Sequence, residues 1–318
     1  MLQRLILSVC FLVVGGCGTL PDIKPFADAT VTMKAAVAGS YDAAILRTQD
    51  AVAAVRVIES PTETATALAN YEKAITDFNA GRPHRQALLS ALVKYADGLA
   101  AIVDAGKQAG DSVKAVSSQV QGLVSVFMAN PLPGVPVKLT ETLLTKAIEI
   151  GSLNSLDAAL ASASPIVEEV VKVLDADLQD IAGAIGTKAA ALEAAYRVPY
   201  IDQENQRRAL ILRRDVLLKS IGDPAGTALP AETVQKLRDV ETTLSSIDRW
   251  YVPLQERLLK VKETAKADEE LVTKARALLA QWVAANRDLS QAVKESRKPN
   301  VGALVATALE VRDVLSKQ

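Results

Sequence analysis

The stretch PAETVQKLRDVETTLSSIDRWYVPLQERLLKVKETAKADEELVTKARALLAQWVAANRDLSQAVKESR, residues 230–297, decides the fold. One set of positions recurs along it in alternating steps of three and four: Leu237, Val240, Leu244, Ile247, Tyr251, Leu254, Leu258, Val261, Ala265, Asp268, Val272, Ala275, Leu279, Trp282, Asn286, Leu289 and Val293. Only Asp268 and Asn286 among them are polar. A mean step of about 3.5 residues marks a helix whose apolar seam faces another helix. A polar residue in such a seam fixes register at a cost in stability, so Asn286→Leu is expected to be neutral or stabilising. Pro253 lies inside the run and removes one backbone hydrogen bond, which predicts a kink.

The preceding segment supplies the partner. Leu160, Ala163, Val167, Val170, Leu174, Leu178, Ile181, Ile185, Ala189, Leu192 and Tyr196 form a similar stripe, interrupted by Pro165 and Pro199. Gly222-Asp223-Pro224-Ala225-Gly226 is the turn between the two segments, and a connection so short makes neighbours antiparallel. Straight helices of this length would reach about 100 Å at 1.5 Å per residue. Folding back at Pro199 and Pro253 would halve that.

Working towards the N-terminus, Asn130 to Pro136 (NPLPGVP) is the strongest break in the chain. Before it, an Ala-rich helix is expected from Phe26 to about Glu59. Ser60-Pro61-Thr62-Glu63 has the pattern of a helix restart, with Ser as N-cap and Pro at the first position. That second helix is expected to end near Asn79-Ala80-Gly81, and Pro83 to open a third running to Asn130. Thr140 is expected to cap a short helix ending near Gly151. No stretch alternates strictly, so no sheet is expected. The fold class is all-α: an elongated helical bundle with a long antiparallel, coiled-coil-like hairpin.

The first residues give an address. Leu5 to Val14 is an apolar run of about ten residues, too short to span a bilayer as a helix but the length of a secretory signal core. Val14-Gly15-Gly16-Cys17 closes it, and this resembles the lipobox of bacterial lipoproteins. The resemblance implies cleavage before Cys17 and lipidation of its thiol. With Gly18 after the cysteine, it also implies sorting to the outer membrane, facing the periplasm. The expected organisation is therefore a signal peptide at 1–16, a tether at 17–24, an N-terminal helical region at 25–130, and the long hairpin with a short final helix at 131–318.

Composition excludes several function classes. Apolar residues make up 49% and aromatics 4% of the 318 residues, which favours close-packed helices over a β-sandwich. The formal net charge is −1, so there is no basic footprint for nucleic acid. Cys10 and Cys17 are the only cysteines and both lie in the N-terminal segment, leaving no disulfide for the body. His84 is the only histidine, placed beside Arg82 and Arg85 at what reads as a solvated first helical turn. No Cys/His zinc site, nucleotide-binding glycine loop or EF-hand spacing is present. Acidic residues are plentiful, but no spacing singles out a general acid–base pair. No cofactor, metal or catalytic residue is therefore expected, and the chain does not read as an enzyme.

The expected role is structural: scaffolding or partner binding in the cell envelope, through long helical surfaces and a membrane anchor on Cys17. Two other readings attach to particular features. Gly122 to Leu139 is strongly apolar yet broken by prolines, and either caps the core or forms an exposed interaction or membrane tip carrying Leu123, Phe127, Leu132 and Val135. The exposed form would resemble the membrane-active segment of helical pore-forming toxins. A small-molecule pocket between periplasmic helices is the other. Smaller features have plainer expectations. Arg207, Arg208, Arg213 and Arg214, interspersed with Asp202, Glu204 and Asp215, read as a solvated ion-pair face. Trp250 and Tyr251 are expected to fill the gap at the Pro253 kink, and Gly106 and Gly110 to mark a close helix contact.

Overall fold

A computed structural model of the chain describes residues 22–56, 61–104, 109–129, 136–221 and 231–317. Among these there are eight α-helices and no strand: α1 (Lys24–Arg56), α2 (Pro61–Asp104), α3 (Ala109–Ala129), α4 (Val137–Ile150), α5 (Leu156–Arg197), α6 (Ile201–Ile221), α7 (Ala231–Lys294) and α8 (Gly302–Leu315). A single 3-10 turn, Val198–Tyr200, separates α5 from α6 at Pro199.

The seam of α7 is turned inward along its whole length. Thirteen of its positions are buried, and Leu237, Tyr251, Val261 and Val293 are half-buried. Ion pairs show which neighbour it follows. Glu168 pairs with Arg287, Asp175 with Arg276 (2.7 Å), Glu193 with Lys262 (3.2 Å) and Arg207 with Asp248 (2.7 Å). Between the last two pairs one strand of the hairpin advances fourteen residues, from Glu193 to Arg207, while the other retreats fourteen, from Lys262 to Asp248. The 3-10 turn thus absorbs Pro199 without a register shift, and α5 and α6 together run antiparallel to α7. Neither segment folds back.

Three prolines sit inside helices that continue through them: Pro83 in α2, Pro165 in α5 and Pro253 in α7. Each lies on the solvent face, as does the residue four before it, Asn79, Ala161 and Arg249 respectively. Solvent can take the carbonyl that loses its hydrogen bond, which lowers the cost of an internal proline. The expected helix end at Asn79-Ala80-Gly81 is therefore absent, and His84 stands in mid-helix rather than in a first turn. Gly81 has a different use: a Cβ there would come within 2.5 Å of the Arg85 guanidinium, which lies across that position. Thr140 likewise falls inside α4, which begins directly after the extended Pro136. Ser155 does act as an N-cap, accepting from the Ala158 amide at 3.4 Å.

The long helices α1, α2, α5 and α7 make an antiparallel bundle. α1 and α5 run one way, α2 and α7 the other, as the contacts Tyr41–Asp177, Arg85–Asp177, Tyr95–Asn286 and Trp282–Thr30 require. α3 and α4 cover the α2–α5 side, and α8 covers the α1–α7 side. Where α2 packs on α3, a Cβ at Gly98 would meet the Gln119 side chain at 2.6 Å. Gly110 has nothing within 4 Å of that position, and Gly106 lies outside the described residues. One hydrophobic core runs from Ile23 to Val311 and draws on both regions divided at residue 130, so a chain beginning at Asp22 holds every described side chain of it.

This core carries a buried polar chain. Tyr95 donates to Asn286 Oδ1 (3.0 Å), Asn286 Nδ2 donates to Ser164 Oγ (3.3 Å), and Ser164 donates to Glu168 Oε1 (3.1 Å), which Arg287 also holds. Asn286 is thus a bridge between α2 and α5, not a tolerated polar intruder. Replacing it leaves the fully buried Tyr95 hydroxyl without an acceptor, and a stranded buried group costs about 1–3 kcal/mol. Asn286→Leu should accordingly destabilise by about that amount in urea titrations, and adding Tyr95→Phe should recover part of the loss. A neutral Asn286→Leu would return the seam to the simple reading.

Candidate functional site

Beyond the level where Val55 packs with Leu192, α1 contributes nothing further, and α2 begins a few residues on. What continues is an arm of two helices, α6 and the first part of α7, and among the described residues α6 packs chiefly on α7 and the 3-10 turn. The base of this arm gathers the polar and aromatic side chains most suited to binding.

Glu204, in the first turn of α6, is 5% exposed and accepts from Arg197 Nε at 3.1 Å, with Arg208 Nη2 4.0 Å away. A carboxylate in the first turn also faces the positive end of the helix dipole. Tyr200 stacks on Trp250 (5.1 Å between rings), and Tyr251 meets Trp250 edge-on at 6.0 Å. The Arg207 guanidinium lies 4.1 Å over the Tyr251 ring while its Nε bonds Asp248 at 2.7 Å. Two hollows flank Glu204. One of about 480 Å³ has Ala190, Ala194, Val198 and Ile201 as its apolar wall; the other, about 220 Å³, is lined by Tyr251, Leu258 and Lys262. Both open to solvent, and Glu193, Arg197, Glu204 and Arg208 border both. Apolar walls beneath mixed charges suit a protein side chain better than an enclosed small molecule.

The arginine cluster divides by its position on α6. Arg207 faces the arm seam and pairs across it, Arg214 pairs with its neighbour Asp215, and Arg208 is exposed. The expected ion-pair face is therefore real for three of the four, Arg208 pairing with Glu204 at 4.0 Å, but the partner of Arg207 is Asp248 on α7 rather than an acid of the same helix. Outward from the seam, α6 shows Leu212 at 68% and Val216 at 66% exposure. That pattern is visible in the sequence once the seam is assigned, because a helix with only one neighbour should have no second apolar face.

The other expected site residues fall elsewhere. Leu123 and Phe127 are fully buried core residues of α3, so this part of the apolar segment is no exposed tip. Leu132, Val135 and Cys17 lie outside the described residues. Residues Ala65–Val103 of α2 are apolar and long enough to cross a membrane, but Leu88, Leu92, Tyr95 and Leu99 within them are core. His84 is half-buried, and its Nδ1 has no hydrogen-bond partner among the described residues. No group of three or more His, Cys, Asp and Glu side chains placed for a metal ion occurs among the described residues.

Two buried charge clusters belong to the bundle and not to the arm. Arg85 holds Asp177 through Nε (2.7 Å) and Nη2 (2.9 Å), lies 4.5 Å over the Tyr41 ring, and shares Asp177 with the Tyr41 hydroxyl. Burial, and then the Asp177 charge, pushes the Tyr41 hydroxyl far above the usual tyrosine range. The second cluster is Asp268, whose Oδ2 lies 2.8 Å from Arg47 Nε. Burial raises the Asp268 carboxyl above its ordinary value, with Arg47 opposing.

No family profile, no curated protein and no solved structure matches this chain.

Removing one member of a buried pair costs about 3–5 kcal/mol because the other charge is stranded. Asp177→Leu should show a loss of that order in thermal melts, and Arg85→Met/Asp177→Leu a smaller one. Equal losses would mean that the pair's charge is not what matters there. Asp268 gives a pH test. Its folded pKa lies above the unfolded one, so its contribution is greatest at low pH and is lost as pH rises from 3.8 through the raised folded value. The stability of Asp268→Asn relative to the native chain should therefore improve across that window, measured by urea titration at a series of pH values. A decline would mean that the Arg47 attraction outweighs burial.

Proposed function

We propose that this chain is a lipid-anchored helical protein of the outer membrane, facing the periplasm, that holds the α6–α7 arm away from its anchor as a surface for a protein partner. One observation carries this reading. Phe26, at the start of α1, stacks on Trp282 near the far end of α7, whereas α7 begins at Ala231 in the arm. Fifty-one residues of one continuous helix separate those levels, about 75 Å at 1.5 Å per residue. The end of the body nearest the Cys17 segment and the outer end of the arm are therefore at opposite poles. An anchor at one pole and exposed apolar residues at the other suit a scaffold that reaches from a surface. The lipobox resemblance at Val14 to Cys17 supplies the anchor in this reading.

Cys17→Ser should abolish labelling by a palmitate analogue and release the protein from the membrane fraction. Photo-crosslinking side chains at Leu212 and Val216 should capture a partner in cells, while one at Leu309, exposed on α8 of the body, should not. Persistent labelling of the Ser variant refutes the anchor. Crosslinks confined to position 309 refute the arm as the binding surface.

A further inference from the structure

The outward face of α6 has a charge and size pattern that is complementary to itself. Its centre is Leu212, with Asn205, Ala209, Val216 and Lys219 spaced along the same stripe, all exposed. Arg208 lies four residues before Leu212 and Asp215 three residues after it, and at 100° per residue both sit about 40–60° to the same side of the stripe. Their side chains are 67% and 50% exposed. We propose that this face docks on the same face of a second copy of the chain, the two α6 helices running antiparallel about a two-fold axis through Leu212.

The symmetry makes the pattern specific. A two-fold axis perpendicular to an antiparallel helix pair brings identical flanks together. Arg208 then stands against Asp215 of the second copy and Asp215 against its Arg208, within about one residue rise along the axis. Leu212 meets Leu212, small Ala209 faces branched Val216, and Asn205 faces Lys219. Arg213 projects about 100° away from the stripe and lies outside the contact. Arg208 pairs with Glu204 in its own chain only at 4.0 Å and stays 67% exposed, so its guanidinium can reach across the contact. The charges on the face are nearly balanced, Arg208 and Lys219 against Asp215, which argues for a protein partner and against an anionic lipid surface. Opposed polarity of the arms would place the two bodies at opposite ends of the dimer. A single helix face is small beside a standard interface, so the dimer is expected to be weak and concentration-dependent.

This inference rests on the arm reading above, but the chain beginning at Asp22 tests it without the Cys17 anchor. Sedimentation velocity from about 1 to 200 μM, a range suited to a weak interface of this size, should show a monomer–dimer equilibrium. R208E and D215R should each weaken it roughly tenfold or more, through like charges meeting at both ends of the contact. The double variant R208E/D215R should regain it, and mixing the two single variants should restore dimers that neither forms well alone. L212D should be monomeric with an unchanged melting temperature, because the site is exposed in one chain. A native chain monomeric throughout that range overturns the proposal. So does a double variant as weak as the single ones, which would remove the Arg208–Asp215 register, or an L212D variant that melts early, which would make Leu212 part of the arm's own packing.

Discussion

Trp282 fixes the arrangement of this molecule. Its ring is fully buried where α1, α2 and α7 meet, stacked on Phe26 and tilted against Tyr95, and its indole N–H donates to Thr30 Oγ1 at 2.7 Å. Thr30 in turn donates to the Phe26 carbonyl, so the acceptor is itself oriented. A ring of this size with one polar atom fits one register only; sliding α7 by a turn would bury an unpaired N–H against the side chains of α1. Four residues on, Asn286 repeats the constraint towards α2 and α5. With both in place the position of α7 is settled at one end, and every residue from Ala265 back to Ala231 follows from helix geometry. The body thus determines where the arm points.

Much of the body was legible in the sequence because one face of each long helix is apolar at a spacing of three and four. The seam from Leu237 to Val293 and the stripe from Leu160 to Tyr196 both face inward, and the antiparallel pairing follows from the short Pro/Gly connection. What the periodicity did not carry was the effect of local breakers. Pro83 and Gly81 read as a boundary, yet α2 continues because the proline faces solvent and the glycine makes room for Arg85. Whether a proline breaks a helix depends on which side of the cylinder it occupies, and that is known only once the neighbours are placed. Asn286 looks like an intruder in the seam for a related reason: its partners Tyr95 and Ser164 are 191 and 122 residues away, beyond any local pattern.

The candidate site was less legible still. Trp250, Tyr251 and the four arginines stand out by composition, but their grouping with Tyr200 and Glu204 needs the 3-10 turn at Pro199 to hold register. The exposed stripe of α6 is apolar residues among charges, with the same period as a buried face. Sequence cannot distinguish a stripe that faces a neighbour from one that faces none, because the count of neighbours is a tertiary quantity. Leu123 and Phe127 are the opposite case: they precede a proline-rich break, as a tip would, yet the core claims them.

The conserved register across the 3-10 turn has a consequence for how such a molecule can change. Because α6 contacts little besides α7, and because α5, α6 and α7 keep one antiparallel offset throughout, the arm behaves as a ruler. Seven residues added to α6 and seven to the facing part of α7 would move its end outward by about 10 Å while leaving every core contact in the body as it is. Unequal additions would instead rotate the outer face of α6 relative to the base. Reach and body stability are thus separate variables in this architecture, and a lineage could adjust the span between two attachment points without redesigning the core.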